Sequence, residues 1–277
     1  MALYQYFNGQ ILPLEERIFT SNDLGLIRGY GLFDFFRTYN GVPFRWDDYW
    51  ERFENSARSL KLTLPIGKQE AYAVLLDLYA RSEAPEVAFR FLLTGGIAAD
   101  SVHVESPNMV IRTESLPVDH PQGRLQGIKV LPYSYVRDLP TIKTTNYVHM
   151  ILMADEMKQQ QASDLLFHKD GEVSELTRSN VFLVKEGRLI TTDRHILYGI
   201  TRKVVLELAQ DLMDIEIRPI YLPEMLEADE VFTTSSTKWV MPIRQIGDTT
   251  IGQGAVGPYT RVLQERFEAL LASWGKS

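Results

Sequence analysis

The sequence is organised around Leu139-Pro-Thr-Ile-Lys-Thr-Thr-Asn-Tyr147, a stretch in which Lys143 is the one charged residue. It lies between a largely apolar run typical of a strand, Ile128–Tyr133, and an apolar helical run, Val148–Met153. A lysine between two buried elements is costly unless its charge is paired, removed or used covalently. The chemistry that suits a desolvated amine is nucleophilic attack on a carbonyl to form a Schiff base. Its immediate context alone favours a solvated loop lysine, because most lysines that follow a strand are of that kind.

The composition excludes several classes of protein. The chain has 277 residues, of which 45% are hydrophobic and 23% charged, as in ordinary globular proteins. Its net charge is −7, and its lysines and arginines are scattered, so we expect no nucleic-acid partner. Cysteine is absent, which excludes disulfides and thiolate chemistry, and we predict no metal site. No apolar stretch approaches the length of a membrane span and the N-terminus resembles no leader peptide, so we expect a cytoplasmic protein.

Turn residues mark a domain boundary near the middle of the chain. A cluster of helix- and strand-breaking residues comprises Pro107, Pro117, Pro121, Gly123 and Gly127. We therefore predict a small N-terminal domain over 1–118, a linker over 119–127 and a larger C-terminal domain over 128–277.

Local patterns within the N-terminal part predict two hairpins and a helix. Asn8-Gly9 and Asn40-Gly41 each lie between strand-like runs, and Asn-Gly is the strongest short signal of a hairpin. From Trp46 onward, apolar residues recur with helical spacing, and Arg52 lies on that helix but off its apolar face. The glycines between 25 and 31 do not match a dinucleotide-binding fingerprint, because no helix is predicted after them.

Two segments of the C-terminal part are suited to bind an anion. Thr201 stands at the predicted start of a helix, where it is a good N-cap, and Ser236-Thr237 follows a predicted strand. Both offer backbone N–H groups and hydroxyls, and Arg52 could add charge if they converged on a phosphate. Ordinary capping is the alternative for each segment. Glu175 precedes a buried strand, where it is either a turn residue or an acid that keeps a heteroaromatic nitrogen protonated.

An amine, an acid and a phosphate site together suggest pyridoxal phosphate. Further motifs match one family at widely spaced points: Gly31-Leu-Phe-Asp-Phe-Phe-Arg37 with Asn40-Gly41, the Trp46–Leu62 helix, Lys143-Thr-Thr-Asn-Tyr147, Glu175-Leu-Thr-Arg-Ser-Asn-Val-Phe182, Tyr198-Gly-Ile-Thr-Arg202, Thr233-Thr-Ser-Ser-Thr237 and Gly257-Pro-Tyr-Thr-Arg261. With them the chain resembles the fold-type IV, class IV aminotransferases, which include D-amino-acid transaminases, branched-chain aminotransferases and aminodeoxychorismate lyases.

The resemblance implies a fold, a cofactor and a set of roles. The fold combines α/β and α+β elements, with a small N-terminal α+β domain and a larger α/β-barrel-like C-terminal domain that binds pyridoxal 5′-phosphate. Lys143 would bind the cofactor as a Schiff base, and Glu175 would contact its pyridine nitrogen. Asn180 or Tyr147 would contact the phenolic side of the ring. The residues implied at the phosphate are Arg52, Ile200, Thr201, Ser236 and Thr237. The family also implies a homodimer.

The substrate is less clearly implied, because one motif departs from the family. D-amino-acid transaminases carry Thr-Arg-Gly and then an Arg and a His that bind the substrate carboxylate, whereas this chain has Leu93-Thr-Gly-Gly-Ile-Ala-Ala-Asp100. Arg28, Arg90 or Arg178 could replace that arginine, since a guanidinium binds a carboxylate through two N–H groups.

Branched-chain aminotransferases need fewer arginines to bind the substrate carboxylate. We therefore predict transamination between a D-amino acid, such as D-alanine or D-glutamate, and a 2-oxo acid such as 2-oxoglutarate. The alternatives are a branched-chain L-amino-acid aminotransferase or an aminodeoxychorismate lyase of the same fold. A non-catalytic binding protein is the alternative from another class, and the presence of both Lys143 and Glu175 argues against it.

Overall fold

The computed structural model describes residues 3–100, 102–116 and 121–276. The chain folds into two compact units. The N-terminal unit comprises Met1–Pro117, Ile142–Asn146 and Ser273–Ser277, and the C-terminal unit comprises Val118–Thr141 and Tyr147–Ala272. The Lys143 segment therefore belongs to the N-terminal unit. Residues 119 and 120 of the predicted linker lie outside the described part, and the rest of it contains a short helix, Pro121–Gln126.

The N-terminal unit is built on a six-stranded sheet with the strand order β2-β1-β6-β5-β3-β4. Its elements are β1 (Tyr4–Phe7), β2 (Gln10–Pro13), α1 (Leu24–Ile27), β3 (Gly31–Tyr39), β4 (Val42–Pro43), α2 (Trp46–Ser59), α3 (Lys68–Ser82), β5 (Ala88–Ile97) and β6 (Ser106–Glu114). The strand pairs β1–β2, β1–β6, β3–β4, β3–β5 and β5–β6 are all antiparallel.

Both predicted hairpins are present in the N-terminal unit. Asn40 and Gly41 have φ angles of 50° and 75°, the left-handed conformation that a tight hairpin turn demands and that Asn and Gly adopt most readily. The apolar face of α2 covers the sheet, because Trp50 and Phe53 pack against Phe91 of β5 at ring distances of 6.2 and 5.3 Å. Phe36 of β3, the strand that contacts the Lys143 segment, belongs to the same aromatic core, with its ring centre 5.4 Å from that of Phe91.

The C-terminal unit is built on a larger mixed sheet with the order β12-β11-β10-β14-β15-β7-β8-β9-β13, and β16 pairs with β15. Its elements are α4 (Pro121–Gln126), β7 (Ile128–Ser134), α5 (Val148–Leu152), α6 (Ala154–Gln159), β8 (Asp164–Lys169), β9 (Glu172–Leu176), β10 (Asn180–Lys185), β11 (Arg188–Thr191), α7 (Ile200–Ala209), β12 (Ile215–Ile217), β13 (Ile220–Tyr221), α8 (Leu222–Leu226), β14 (Glu230–Ser235), β15 (Trp239–Ile246), β16 (Thr249–Thr250) and α9 (Pro258–Ser273).

The pairing of β10 with β14 brings two candidate segments to one edge of this sheet. Asn180, the first residue of β10, lies opposite Thr234 near the end of β14. The rings of Phe182 and Phe232 stack at 5.0 Å in the core beneath this pair. The chain entering β10 and the chain leaving β14 therefore run side by side.

None of the helices in the described ranges is long and apolar enough to cross a membrane.

Candidate active site

The Lys143 segment is attached to β3 by backbone hydrogen bonds. The carbonyl of Lys143 accepts from the Phe33 amide at 2.9 Å, and the Thr145 amide donates to the carbonyl of Gly31 at 3.1 Å. The half-buried Lys143 side chain places Nζ 4.6 Å from the centre of the Phe33 ring. An aromatic face attracts an ammonium group and shields it from water. The predicted reactive amine is thus held in place, and Phe33 is a contact that the sequence interpretation missed.

Arg90, one of the predicted carboxylate-binding residues, lies against the same ring. Its Cζ is 5.2 Å from the ring centres of both Phe33 and Phe35. Its side chain, 29% exposed, is ion-paired with Glu114 through Nε at 2.5 Å, and Arg112 binds the same carboxylate at 2.6 Å. Arg90 therefore lies beside the aromatic neighbour of Lys143, with Glu114 holding its guanidinium.

The Arg90–Glu114–Arg112 cluster makes the stability of the protein depend on pH. Burial acts to raise the pKa of Glu114, but hydrogen bonds and charge from Arg90 and Arg112 outweigh burial and hold that pKa below its ordinary value of 4.5. A carboxylate with a depressed pKa stabilises the fold above its unfolded pKa, and this contribution is lost as the pH falls through the folded pKa.

We expect Glu114→Gln to lower the free energy of unfolding at pH 7 by about 1 kcal/mol, because two charged hydrogen-bonded pairs are lost. The difference from the wild type should shrink as the pH is lowered below 4.5, where the wild-type carboxylate becomes protonated. Urea denaturation at pH 7 and at pH values below 4 measures both. A difference that stays constant over that range would show that the charge of Glu114 contributes nothing.

The other two predicted carboxylate-binding arginines are exposed. Arg28 follows α1 in the N-terminal unit, and its Nη1 donates to the carbonyl of Ile27 at 3.0 Å. Arg178 lies in the C-terminal unit between β9 and β10. Both guanidinium groups are accessible to a ligand, and their role in binding a carboxylate stays a prediction.

Arg52 is fixed by a buried acid. Its Nε and Nη2 donate to the two carboxylate oxygens of Asp34 at 2.9 and 2.6 Å. Its Cζ also lies 5.2 Å from the ring centre of Tyr49. This arrangement sets the direction of the guanidinium on α2, and its contact with a phosphate stays a prediction.

Glu175, the predicted acid, is buried in the C-terminal unit and is paired with an arginine. Its Oε1 accepts from Nε and Nη2 of Arg137 at 2.7 and 2.6 Å. Its Oε2 accepts from the amide of Leu197 at 3.0 Å. Arg137 also donates to the carbonyl of Pro140, three residues before Lys143. A guanidinium at this distance favours the carboxylate anion, the form that would hold a pyridine nitrogen protonated.

The sequence interpretation missed Arg137. The signal that could have found it is the general requirement that a buried carboxylate be paired. Arg137 stands at the start of the segment leading to Lys143, but the sequence does not show that it reaches a strand 38 residues away.

Leu197 connects Glu175 to the start of α7. Its amide donates to Glu175, and its carbonyl accepts from Nδ2 of Asn180 at 2.7 Å. Gly199 lies so close to the side-chain amide of Asn180 that a Cβ added to it would be 2.1 Å from Oδ1 of Asn180. Asn180 therefore holds the turn that leads into α7, and its predicted contact with a cofactor ring stays a prediction.

The N-terminus of α7 retains the features of an anion site. Gly199, not Thr201, is the N-cap, and no side chain in the described part of the protein caps the helix. The predicted capping role of Thr201 was therefore wrong: Thr201 is the second residue of the helix, buried beside Ile200. An uncapped helix start presents N–H groups and a partial positive charge, which suit a phosphate.

The turn between β14 and β15 supplies a second set of donors at the same edge of the sheet. Ser235 pairs with Trp239 across this turn, whose central residues include Ser236 and Thr237. Trp239 has a φ of 56°, the left-handed residue that closes a three-residue hairpin turn. Among the described residues, no acceptor takes the amide N–H of Thr237. This donor set fits a phosphate group, as the acid and the amine fit a pyridoxal ring and its aldehyde.

Comparison with known proteins leads to the same cofactor as the donors described above. The sequence model of the family described as Amino-transferase class IV matches residues 31–246. A protein of Methanocaldococcus jannaschii provisionally named branched-chain-amino-acid aminotransferase is 29% identical over 98% of this chain and 97% of its own length. The D-alanine aminotransferase of Staphylococcus aureus strain N315 is 28% identical over 97% of this chain and 98% of its own.

A solved structure shows the same fold. The T.th. branched-chain amino acid aminotransferase with pyridoxamine 5′-phosphate superposes with a TM-score of 0.90 at 24% identity, covering 100% of this chain and 96% of that one. The predicted fold class and cofactor are confirmed. The chain therefore belongs to the class IV aminotransferases, which have fold type IV and use pyridoxal 5′-phosphate, as its spaced motifs predicted.

Proposed function

We propose that this aminotransferase exchanges the amino group of a D-amino acid, such as D-alanine or D-glutamate, with a 2-oxo acid such as 2-oxoglutarate. The observation that carries this proposal is the position of Arg90 on the Phe33 ring that also contacts the Lys143 amine. A substrate carboxylate bound by Arg90 would bring its amino group and Cα toward that amine. Arg28 and Arg178 provide further accessible guanidinium groups, as expected for a substrate with a second carboxylate.

The residues of this chain take distinct roles in that reaction. Pyridoxal phosphate, when bound, supplies an electron sink that stabilises negative charge at the substrate Cα. Lys143 would hold the cofactor through Nζ, and the same amine would move a proton at the substrate Cα as a general base. Glu175, paired with Arg137, would hold the proton on the pyridine nitrogen. The residues that would hold the phosphate are Arg52, Ile200, Thr201, Ser236 and Thr237.

Branched-chain aminotransferase is the second candidate. The relative in M. jannaschii favours it, because that protein is about as similar to this chain as the D-alanine enzyme. The arginines distinguish the two candidate functions. The side chain of a branched-chain substrate needs an apolar pocket, whereas the second carboxylate of D-glutamate needs a guanidinium.

Single-turnover reactions test the choice of substrate. The purified enzyme loaded with pyridoxal phosphate is mixed separately with D-alanine, D-glutamate, L-leucine and L-glutamate, and loss of the absorbance of the bound aldehyde form is followed. We expect D-alanine or D-glutamate to convert the cofactor fastest. Rapid conversion by L-leucine alone would contradict the proposal and identify a branched-chain enzyme.

Substitution of Arg90 tests the carboxylate contact. We expect Arg90→Leu to raise KM for D-alanine by about 10- to 100-fold, the worth of a charged hydrogen-bonded pair. The matched control is Arg112→Leu, because Arg112 binds the same Glu114 oxygen from the neighbouring strand β6. Steady-state kinetics of both variants separate the two effects. Equal changes in KM would show that Arg90 acts only through Glu114.

Parallel variants Arg28→Leu and Arg178→Leu show which guanidinium binds a second carboxylate. The one that does so should raise KM for D-glutamate more than KM for D-alanine.

We further propose that the enzyme is a cytoplasmic homodimer. Helix α5 supports an interface, because it exposes Val148, Ile151 and Leu152 to 54, 68 and 72%. Adjacent exposed apolar side chains of this size are typical of contact surfaces. Light scattering coupled to size-exclusion chromatography should give twice the mass of the chain, and the mass of one chain would contradict the proposal.

A further inference from the structure

Asp164 is a buried acid that the reaction described above does not use. It is the first residue of β8, and its side chain is 1% exposed. Its Oδ2 accepts from Nζ of Lys238 at 2.7 Å, and its Oδ1 accepts from the amide and the hydroxyl of Thr177. Burial acts to raise the pKa of Asp164, but Lys238 and Thr177 outweigh it and hold that pKa below its ordinary value.

The two partners of Asp164 belong to the two candidate segments at the edge of the C-terminal sheet. Thr177 lies between Glu175 and Asn180, in the connection from β9 to β10. Lys238 directly follows Thr237, in the turn from β14 to β15. Asp164 therefore joins the segment that carries the acid to the turn that carries phosphate donors.

Lys238 is unusual for a lysine in a hairpin turn. A lysine in a hairpin turn usually extends into water. The Lys238 side chain is only 13% exposed and is paired with a buried carboxylate. Its backbone amide is fixed as well, because it donates to Oγ of Ser235 at 3.2 Å. Burying two charges gains little stability compared with apolar packing, but it fixes the positions of the groups that carry them.

We propose that Asp164 and Lys238 form a positioning pair that holds the turn 236–238 in the conformation that binds the phosphate of the cofactor. This inference rests on the proposed assignment of Ser236 and Thr237 to the phosphate. The pair acts through the turn backbone: the Lys238 side chain anchors the C-terminal end of the turn, and Oγ of Ser235 ties its start to the Lys238 amide. The Thr237 amide lies between these two anchors. Thr177 extends the same anchor to the segment that carries Glu175.

The test compares the affinity of the apoenzyme for pyridoxal 5′-phosphate with its affinity for pyridoxal, which lacks the phosphate. Both dissociation constants are measured by fluorescence titration, a readout independent of activity. We expect Lys238→Met and Asp164→Asn each to weaken pyridoxal phosphate about tenfold, through lost backbone hydrogen bonds to an anion. Pyridoxal binding should change less than twofold. The matched control is Lys185→Met, which removes an exposed ion pair with Glu227 in the same unit, and it should leave both constants unchanged.

The single variants distinguish positioning from direct contact. If Lys238 contacted the phosphate directly, Asp164→Asn would leave a lysine to bind it, and only Lys238→Met would weaken pyridoxal phosphate; that result overturns the proposal. Unchanged affinities in both variants, with lowered stability alone, also overturn it. Because Lys238→Met leaves a buried carboxylate uncompensated, the double variant Lys238→Met/Asp164→Asn carries the same expectation if a single variant fails to fold.

A different result is expected if Ser236 and Thr237 do not bind the phosphate. If the wild type binds pyridoxal as tightly as pyridoxal phosphate, the phosphate assignment is wrong and the positioning pair is overturned with it. If the wild type prefers pyridoxal phosphate and the variants Lys238→Met and Asp164→Asn keep that preference in full, only the positioning pair is overturned.

Discussion

Lys143→Ala should lower kcat by at least about 10³-fold, because in the proposed reaction one side chain would supply both the covalent attachment and the general base. The amine that replaces it would have to come from solvent or the substrate. The position of this amine is fixed, because Nζ of Lys143 lies over the Phe33 ring on a segment that is hydrogen-bonded to β3. Steady-state kinetics with saturating cofactor measure the loss.

Two variants control for other effects of this change. Lys158→Ala removes an exposed lysine from α6 and should leave kcat unchanged. Lys143→Arg keeps a positive charge near Phe33 but offers no amine that can be deprotonated near neutral pH, so it should be as inactive as the alanine variant. Wild-type activity in Lys143→Arg would show that only charge is needed at this position.

Glu175→Gln should have the next largest effect, a loss of about 10²-fold in kcat, because in the proposed reaction the ring nitrogen would lose the carboxylate that keeps it protonated. The same substitution should lower the free energy of unfolding by about 3 kcal/mol, since it leaves the Arg137 guanidinium without its buried counter-charge. Arg137 is 16% exposed and Glu175 only 5%, so water compensates this charge poorly.

The double variant Glu175→Gln/Arg137→Met separates the catalytic effect from the structural one. Removing both charges should restore much of the stability, because no unpaired charge remains buried. The loss of kcat should persist, because the acid is still missing. Urea denaturation and steady-state kinetics on the same preparations measure both quantities. Recovery of kcat along with stability would mean that Glu175 serves only to pair Arg137.

Local sequence signals predicted those parts of the fold that local physics determines. Asn40-Gly41 forms its hairpin because these residues adopt left-handed angles at little cost, and the apolar spacing of α2 places Trp50 and Phe53 on the sheet. The family motifs identified the fold class and cofactor, which no single motif could have done. The apolar run Val148–Met153 is helical as predicted, and α5 ends one residue before the end of that run.

Contacts between distant segments could not be predicted from one sequence. Arg137 pairs with Glu175 across 38 residues, and Lys238 reaches Asp164 across 74. The segment around Lys143 was expected between a strand and a helix of the C-terminal domain, yet it is bonded to β3 more than a hundred residues earlier. Such contacts depend on tertiary packing, which propensity and spacing do not encode.

The decisive measurement is the identification of the lysine that binds the cofactor. The enzyme loaded with pyridoxal phosphate is treated with borohydride, digested and analysed by mass spectrometry. The predicted result is one phosphopyridoxyl adduct, on the peptide that contains Lys143. An adduct on another lysine, with Lys143 unmodified, would show that Lys143 does not bind the cofactor.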